Sequence, residues 1–224
     1  MTGGRVLFVG CGPGAADLLT VRAVRALAAA DIVVWNRTLL DPQALADHTR
    51  ADTEIVEWPP ATEDDVLAAF DRARADDLLV VRCKGGDPTL FGALEPELSA
   101  VRERGLACEI VPGISALSAG AAALGREVAS PDAPLLLVDS ATLAAGSPAP
   151  ERIAVYGAGR DPGALASALL ARGLPASTPC AVVVEVARRD EAIIDCTLED
   201  LAESVADVGR GALTLVVAGG PTER

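Results

Sequence analysis

The sequence predicts an α/β protein of two domains, the first on a mostly parallel sheet and the second on a mixed one. Three observations predict it. From residue 5 to residue 128, short runs of Val, Ile and Leu alternate with longer segments of helical period, the rhythm of β-α units with parallel strands. That rhythm breaks over 129–150, where Pro131, Pro134, Pro148 and Pro150 fall close together. The break places a boundary near Val128–Pro131, giving domains 1–128 and 129–224. Beyond it, "CAVVVEVA" and "AIIDCTL" are joined by the tight turn Arg188-Arg189-Asp190-Glu191, which predicts antiparallel neighbours.

The elements follow in order. "RVLFV", 5–9, is the first strand and runs into Gly10-Cys11-Gly12-Pro13-Gly14. "AADLLTVRAVRALAAA" is then a helix, with Leu18, Leu19, Val21, Val24 and Leu27 at helical spacing. "DIVVW", 31–35, is the second strand; Asp41 caps the short helix after it and Pro42 opens that helix. "TEIVEW" is the third strand, and Thr62 with Asp65 forms a capping box for a helix over 63–75. The fourth strand lies in "LLVVRCKGGDPTLFG", 78–92, and ends in two glycines, an acid and a proline. Glycine permits positive φ or close backbone approach, and proline stops the ladder. A helix over about 92–104, a fifth strand "ACEIVPG" and an alanine-rich helix Ser115–Leu124 complete the first domain's pattern. The second domain holds strands in "LLLVDS", "RIAVY", "CAVVVEVA", "AIIDCTL" and "ALTLVVAG". Its helices fall at about 161–172, ended by Gly173, and in "EDLAESVADV".

Composition narrows the function classes. Half of the 224 residues are hydrophobic but only 3% are aromatic, so the core is built from Ala, Val and Leu. A net charge of −13 opposes nucleic acid as a partner, because phosphate binding is driven by basic surface. Local arginines can still hold an acidic small molecule. Cys11, Cys83, Cys108, Cys180 and Cys196 stand singly, without C-x-x-C spacing, as small buried hydrophobes of a reducing compartment do. His48 lies in a polar patch, and no ligand set for a metal is found. No apolar run spans a bilayer and no targeting signal is evident, so a cytoplasmic protein is expected.

"GCGPGA" resembles a dinucleotide fingerprint, but two features oppose that reading. Pro13 removes a backbone N–H from the loop, and the second strand ends in Trp35-Asn36-Arg37 where an acid would hold a ribose. Three loops do line up: Gly10–Gly14, Lys84–Pro88 and Val111–Ala116. Each follows a strand and precedes a helix. In a parallel sheet such loops share one edge, where open α/β sheets bind ligands.

With "GCGPGAADLLT", "KGGDPTLFG" and "VPGISA" in that order and spacing, residues 5–128 resemble the tetrapyrrole (corrin/porphyrin) methylase family. "GLPASTPCAVVVEVARRDEAIIDCTLEDL" is similar to that family's second domain. The resemblance implies a methyltransferase that holds S-adenosyl-L-methionine in a cleft between two domains. It implies cofactor contacts at Pro13, Gly85, Gly86, Asp87, Leu90, Ser115 and Ala116, and at Tyr156, Val186 and Ala212 in the second domain. It assigns Gly12, Asn36 and Arg37 to the substrate side, implies a homodimer, and names no catalytic side chain. Lys84, the only lysine, sits beside the cofactor loop on a strand end and is expected either there or in solvent; Arg22 and Arg25 are expected in solvent. Alignment of a nucleophile with a methyl group, with water excluded, is the chemistry such a site needs.

Within the family, the second-domain run and "AAALGREVASPD" look most like the precorrin-4 C11-methyltransferases of cobalamin synthesis. "NRTLL" and "KGGDPTLFG" look more like uroporphyrinogen-III C-methyltransferases. Both groups' patterns are departed from: Asn36-Arg37-Thr38-Leu39 and Trp58-Pro59-Pro60 stand where the first group carries A-G-S-L and a T/S-A-G-M-like segment, while Asn36 stands where the second group carries an acid and that group's lysine-containing loop is absent. A precorrin is the expected substrate and uroporphyrinogen III the runner-up. A degenerate member with another substrate or no turnover, an RNA ribose methyltransferase and a diphthamide-type methyltransferase stand as further alternatives.

Overall fold

A computed structural model describes residues 3–143, 151–208 and 214–219. The chain divides into two compact units, Met1–Ala116 and Leu117–Arg224.

The first unit is built on strands β1 (Arg5–Gly10), β2 (Ile32–Trp35), β3 (Glu54–Glu57), β4 (Leu79–Lys84) and β5 (Ala107–Val111). They form one sheet in the order β3-β2-β4-β1-β5, and every pairing is parallel. Helices α1 (Val21–Ala29), α2 (Pro42–His48), α3 (Glu63–Asp76) and α4 (Leu94–Glu103) connect them. Alternation along each strand feeds two cores. Leu7, Val9, Val33, Trp35 and Val81 pack with Ala23 and Leu27 of α1 and Leu45 of α2. Val6, Phe8, Ile32, Val34 and Val80 pack with Val66 and Phe70 of α3 and Val101 of α4. The chain leaves β1 toward β2 on one side and leaves β4 toward β5 on the other, so the crevice between β1 and β4 is a topological switch point.

Local signals set most element ends. Asp41 accepts from the Gln43 N–H, and Thr62 and Asp65 form both halves of the capping box. The first helix starts later than its apolar spacing predicts. Residues Ala16–Leu18 make a short 3-10 turn, and Thr20 then caps α1 by accepting from the Ala23 N–H. Serine or threonine offering a side-chain acceptor ends the extended segment there.

The second unit holds β6 (Leu135–Asp139), β7 (Arg152–Tyr156), β8 (Pro179–Val184), β9 (Ala192–Thr197) and β10 (Thr214–Ala218), in the order β6-β7-β10-β8-β9. β6 and β7 are parallel and the other pairs antiparallel, including β8 with β9 across the Arg188–Glu191 turn. Helix α6 (Pro162–Ala171) supplies Leu165, Ala166 and Leu169 to its core, and α7 (Leu201–Ser204) is a single turn rather than the longer helix expected over 199–208.

Helix α5 (Ala116–Ala123) goes with this second unit, although it precedes the proline-rich stretch. Its packing explains why. A Cβ added at Gly120 would lie 2.9 Å from Leu215 Cδ2, and the Leu117 N–H donates to Tyr156 Oη at 2.9 Å. Composition registers where chain becomes irregular, whereas packing follows the face a helix buries. Cys11, Cys83 and Cys180 are buried, but Cys108 is exposed on β5, a sheet edge. Among the described residues, no helix is long and apolar enough to cross a membrane.

Candidate functional site

The three loops after β1, β4 and β5 meet at the switch-point crevice, and backbone joins them. Gly12 N–H donates to Gly86 O at 3.2 Å and Gly86 N–H donates back to Gly12 O at 2.8 Å. Both glycines hold positive φ, +69° and +59°, which a side chain would strain. The third loop arrives more closely still. A Cβ on Gly113 would sit 2.1 Å from Gly86 O, and one on Gly10 would sit 2.6 Å from Gly113 N. Glycine at 10 and 113 is therefore required by contact, and glycine at 12 and 86 by conformation.

Asp87 fastens the arrangement. Its Oδ1 accepts from the Thr89 N–H at 2.8 Å and the Thr89 hydroxyl at 2.6 Å, while Oδ2 accepts from the Gly113 N–H at 3.1 Å. Burial pushes the Asp87 carboxyl up, but these three donors outweigh it and hold the group below its ordinary range. The carboxylate is thus an ionised clasp between the second and third loops.

The loop after β2 adjoins this edge. Asn36 Oδ1 accepts from the Thr38 N–H at 2.8 Å and the Thr38 hydroxyl at 2.7 Å, an Asx turn. Leu39 then approaches Gly85 so closely that a Cβ there would lie 2.8 Å from Leu39 Cδ2. Arg37 is exposed and paired with Glu57, which terminates β3. Its guanidinium holds the Glu57 carboxyl below the usual range.

The structure brings together Gly12, Pro13, Gly85, Gly86, Asp87, Ser115 and Ala116. Gly12, Pro13 and Ser115 are buried; Gly85 to Asp87 and Ala116 are half-buried. Leu90 follows on the same loop, exposed, its N–H donating to Asp87 O at 3.1 Å. Tyr156 ends β7 and Val186 follows β8, both in the second unit. Val186 is buried between Glu185 and Ala187, whose φ values of +47° and +56° are strained for residues with a side chain. Ala212 lies outside the described residues. Arg22 and Arg25 are exposed on α1.

Lys84 is not in solvent. It shares a face of β4 with Arg82, and both cations bind Glu97 of α4. Arg82 engages it as a fork, Nε to Oε2 at 2.8 Å and Nη2 to Oε1 at 3.2 Å. Burial raises the Glu97 carboxyl, yet Arg82 and then Lys84 hold it below its ordinary value. Lys84 is itself held low, because burial outweighs the support of Glu97. Sequence reasoning missed this cluster, as it missed the contacts at Gly10, Gly113 and Leu39. The D-x-T pattern of Asp87 and Thr89 is a readable turn signal. Nothing in the spacing pairs Glu97 with β4.

Backbone groups and an ionised carboxylate line this edge. Such a surface can bind and orient a ligand.

Residues 5–202 match the family model described as Tetrapyrrole (Corrin/Porphyrin) Methylases. The precorrin-4 C(11)-methyltransferase of Rhodococcus erythropolis is 30% identical over 225 residues, 96% of this chain and 90% of that protein. The solved structure of a cobalt precorrin-4 methyltransferase superposes with a TM-score of 0.84 at 26% identity, covering 96% of this chain and 94% of the other. Uroporphyrin-III C-methyl transferase from Thermus thermophilus, crystallised with S-adenosyl homocysteine, superposes with a TM-score of 0.77 at 27% identity, covering 96% and 97%.

Proposed function

The chain belongs to the tetrapyrrole (corrin/porphyrin) methylases, and from that premise we propose that it is an S-adenosylmethionine-dependent C-methyltransferase acting on a precorrin in cobalamin biosynthesis, at C11 of precorrin-4. The observation that carries the cofactor assignment is the glycine-built crevice between β1 and β4. Gly12 and Gly86 hold positive φ and pair backbone to backbone with no side chain of their own, and the Asp87 carboxylate is kept ionised beside them. Those features fit a flat nucleoside carrying a cationic sulfonium. Pro13, Gly85, Gly86, Asp87, Leu90, Ser115 and Ala116 would hold it, with Tyr156, Val186 and Ala212 contributed by the second unit. When bound, the cofactor supplies an electrophilic methyl group. The chain's part is to orient the substrate carbon toward it and to exclude water.

Similarity over nearly the whole of both chains to a precorrin-4 C(11)-methyltransferase favours that substrate. Asn36 supports it against uroporphyrinogen III. Its amide oxygen is engaged by Thr38, and an amide has no basic site at working pH, so it cannot take a substrate proton. Gly12, Asn36 and Arg37 lie on the substrate side of this reading. The test is mass spectrometry of precorrin-4 and uroporphyrinogen III, each incubated anaerobically with the protein and labelled S-adenosylmethionine. One added methyl on precorrin-4 is expected. Efficient double methylation of uroporphyrinogen III would replace this assignment, and turnover of neither would favour a degenerate family member.

The reading includes a cytoplasmic homodimer. The face of α5 that buries Ala119 and Gly120 is already covered by the second sheet, so the dimer rests on family membership rather than on an open helix. Light scattering at micromolar concentration tests it, and a monomer would oppose it.

A further inference from the structure

A cavity of about 210 Å3 lies in the first unit, between the loop after β3 and helix α4. Its wall is of two kinds. Val66, Leu67, Ala93, Pro96 and Ala100 make an apolar side, and Arg82 with Glu97 makes a charged one. The Arg82 side chain is only 10% exposed. Its Nε and Nη2 are spent on Glu97, while Nη1 has no hydrogen bond among the described residues. The Trp58 ring, also lining the cavity, stands 5.8 Å from the Arg82 guanidinium carbon. Fork on one side and aromatic face on the other fix the guanidinium plane before any ligand arrives.

The charges do not balance inside the cluster. Arg82 and Lys84 share one carboxylate, that of Glu97. Glu63 borders the cavity as well, but it is exposed on the first turn of α3, where solvent screens it. A buried cation with an unspent donor, facing a small chamber with an apolar side, is complementary to a carboxylate on a short aliphatic stem. At about 30 Å3 for each water in the liquid, the chamber has room for such a group.

We propose that this cavity is a carboxylate subsite: Arg82 Nη1 receives the carboxylate of one acetate- or propionate-sized arm, and Val66, Leu67 and Ala100 receive its methylenes. The identity of the full ligand as a tetrapyrrole rests on the reading above; the subsite's chemistry does not.

The test uses propionate as the probe and the intact chain. Trp35 and Trp58 are its two tryptophans, so two indole N–H signals report by NMR. Propionate, at roughly tens of millimolar as suits five heavy atoms, is expected to shift the Trp58 signal saturably and leave that of Trp35 in place. Propionamide and sodium chloride at equal concentration are expected to leave both in place. Ala100→Phe fills the chamber from α4 without touching the ion pair and should abolish the shift. Arg82→Lys keeps the charge but loses the fork and should weaken binding roughly tenfold. If precorrin methylation is observed, Ala100→Phe should raise KM with kcat nearly unchanged. Absence of a saturable shift, an equal response to propionamide, or a shift that persists in Ala100→Phe would overturn the subsite. A propionate response without turnover of any precorrin would leave the subsite standing and count against the proposed function alone.

Discussion

Strand β4 carries two constructions a few residues apart, and opposite means hold them together. At Gly85–Asp87 the geometry comes from missing side chains: backbone meets backbone, and one carboxylate fastens the third loop to the second. At Arg82 and Lys84 it comes from long side chains that reach Glu97 on another element. The first should tolerate no added atoms, and the second no lost charge. Each is open to a test the other would survive.

The largest effect is expected from the charged cluster. Glu97→Ala leaves two buried cations without their shared partner, and removal of one member of a buried pair costs about 3–5 kcal/mol. Urea denaturation reads this, and a loss under about 1 kcal/mol would show that water reaches the cluster freely. Gly113→Ala comes next. Its Cβ would stand 2.1 Å from Gly86 O, so the loops must separate, at about 1–3 kcal/mol for forced overpacking. If its stability matched wild type, the close approach would not hold in solution.

Acid should loosen both constructions. The Asp87 and Glu97 carboxyls are held below their ordinary values of 3.8 and 4.5. The folded state therefore binds fewer protons than the unfolded chain in that range. Their contribution is full above the ordinary values and is lost as pH falls through the lower folded ones. Between pH 6 and pH 3 the denaturation midpoint of Asp87→Asn and of Glu97→Gln should fall less than that of wild type. Equal slopes would mean that neither carboxylate is linked to folding. The smallest effect belongs to Arg37→Ala. Arg37 is well exposed beside Glu57, and its loss should leave the urea denaturation midpoint close to that of wild type. A clear fall would give this pair a structural role that the charged cluster was expected to hold alone.

These two regions also differ in how legible they are from sequence. Strand-loop-helix order places Gly12, Gly86 and Ser115 at one edge, because parallel strands put successive carboxyl ends together. Thr62 and Asp41 mark helix starts by their own side-chain chemistry. What sequence does not reveal is long-range pairing. Glu97 reaches back to β4 through packing of α4 on the sheet, and Leu39 covers Gly85 from a loop far away in sequence. The start of α1 at Thr20 was missed because hydrophobic spacing continues through the 3-10 turn before it. Gly86 adds a refinement. Space for a Cβ exists there, with the nearest atom 3.6 Å away, and it is the φ of +59° that demands glycine.

The central claim is that the glycine-built edge holds the cofactor, and calorimetric titration with S-adenosylhomocysteine tests it most directly. Wild-type protein should bind it. Asp87→Ala should weaken binding by loosening the clasp, and Gly86→Val should weaken it further by forcing a strained backbone at the crevice itself. Each variant is to be checked as folded by circular dichroism. Affinity equal to wild type in both folded variants would contradict the assignment and move the cofactor away from this edge.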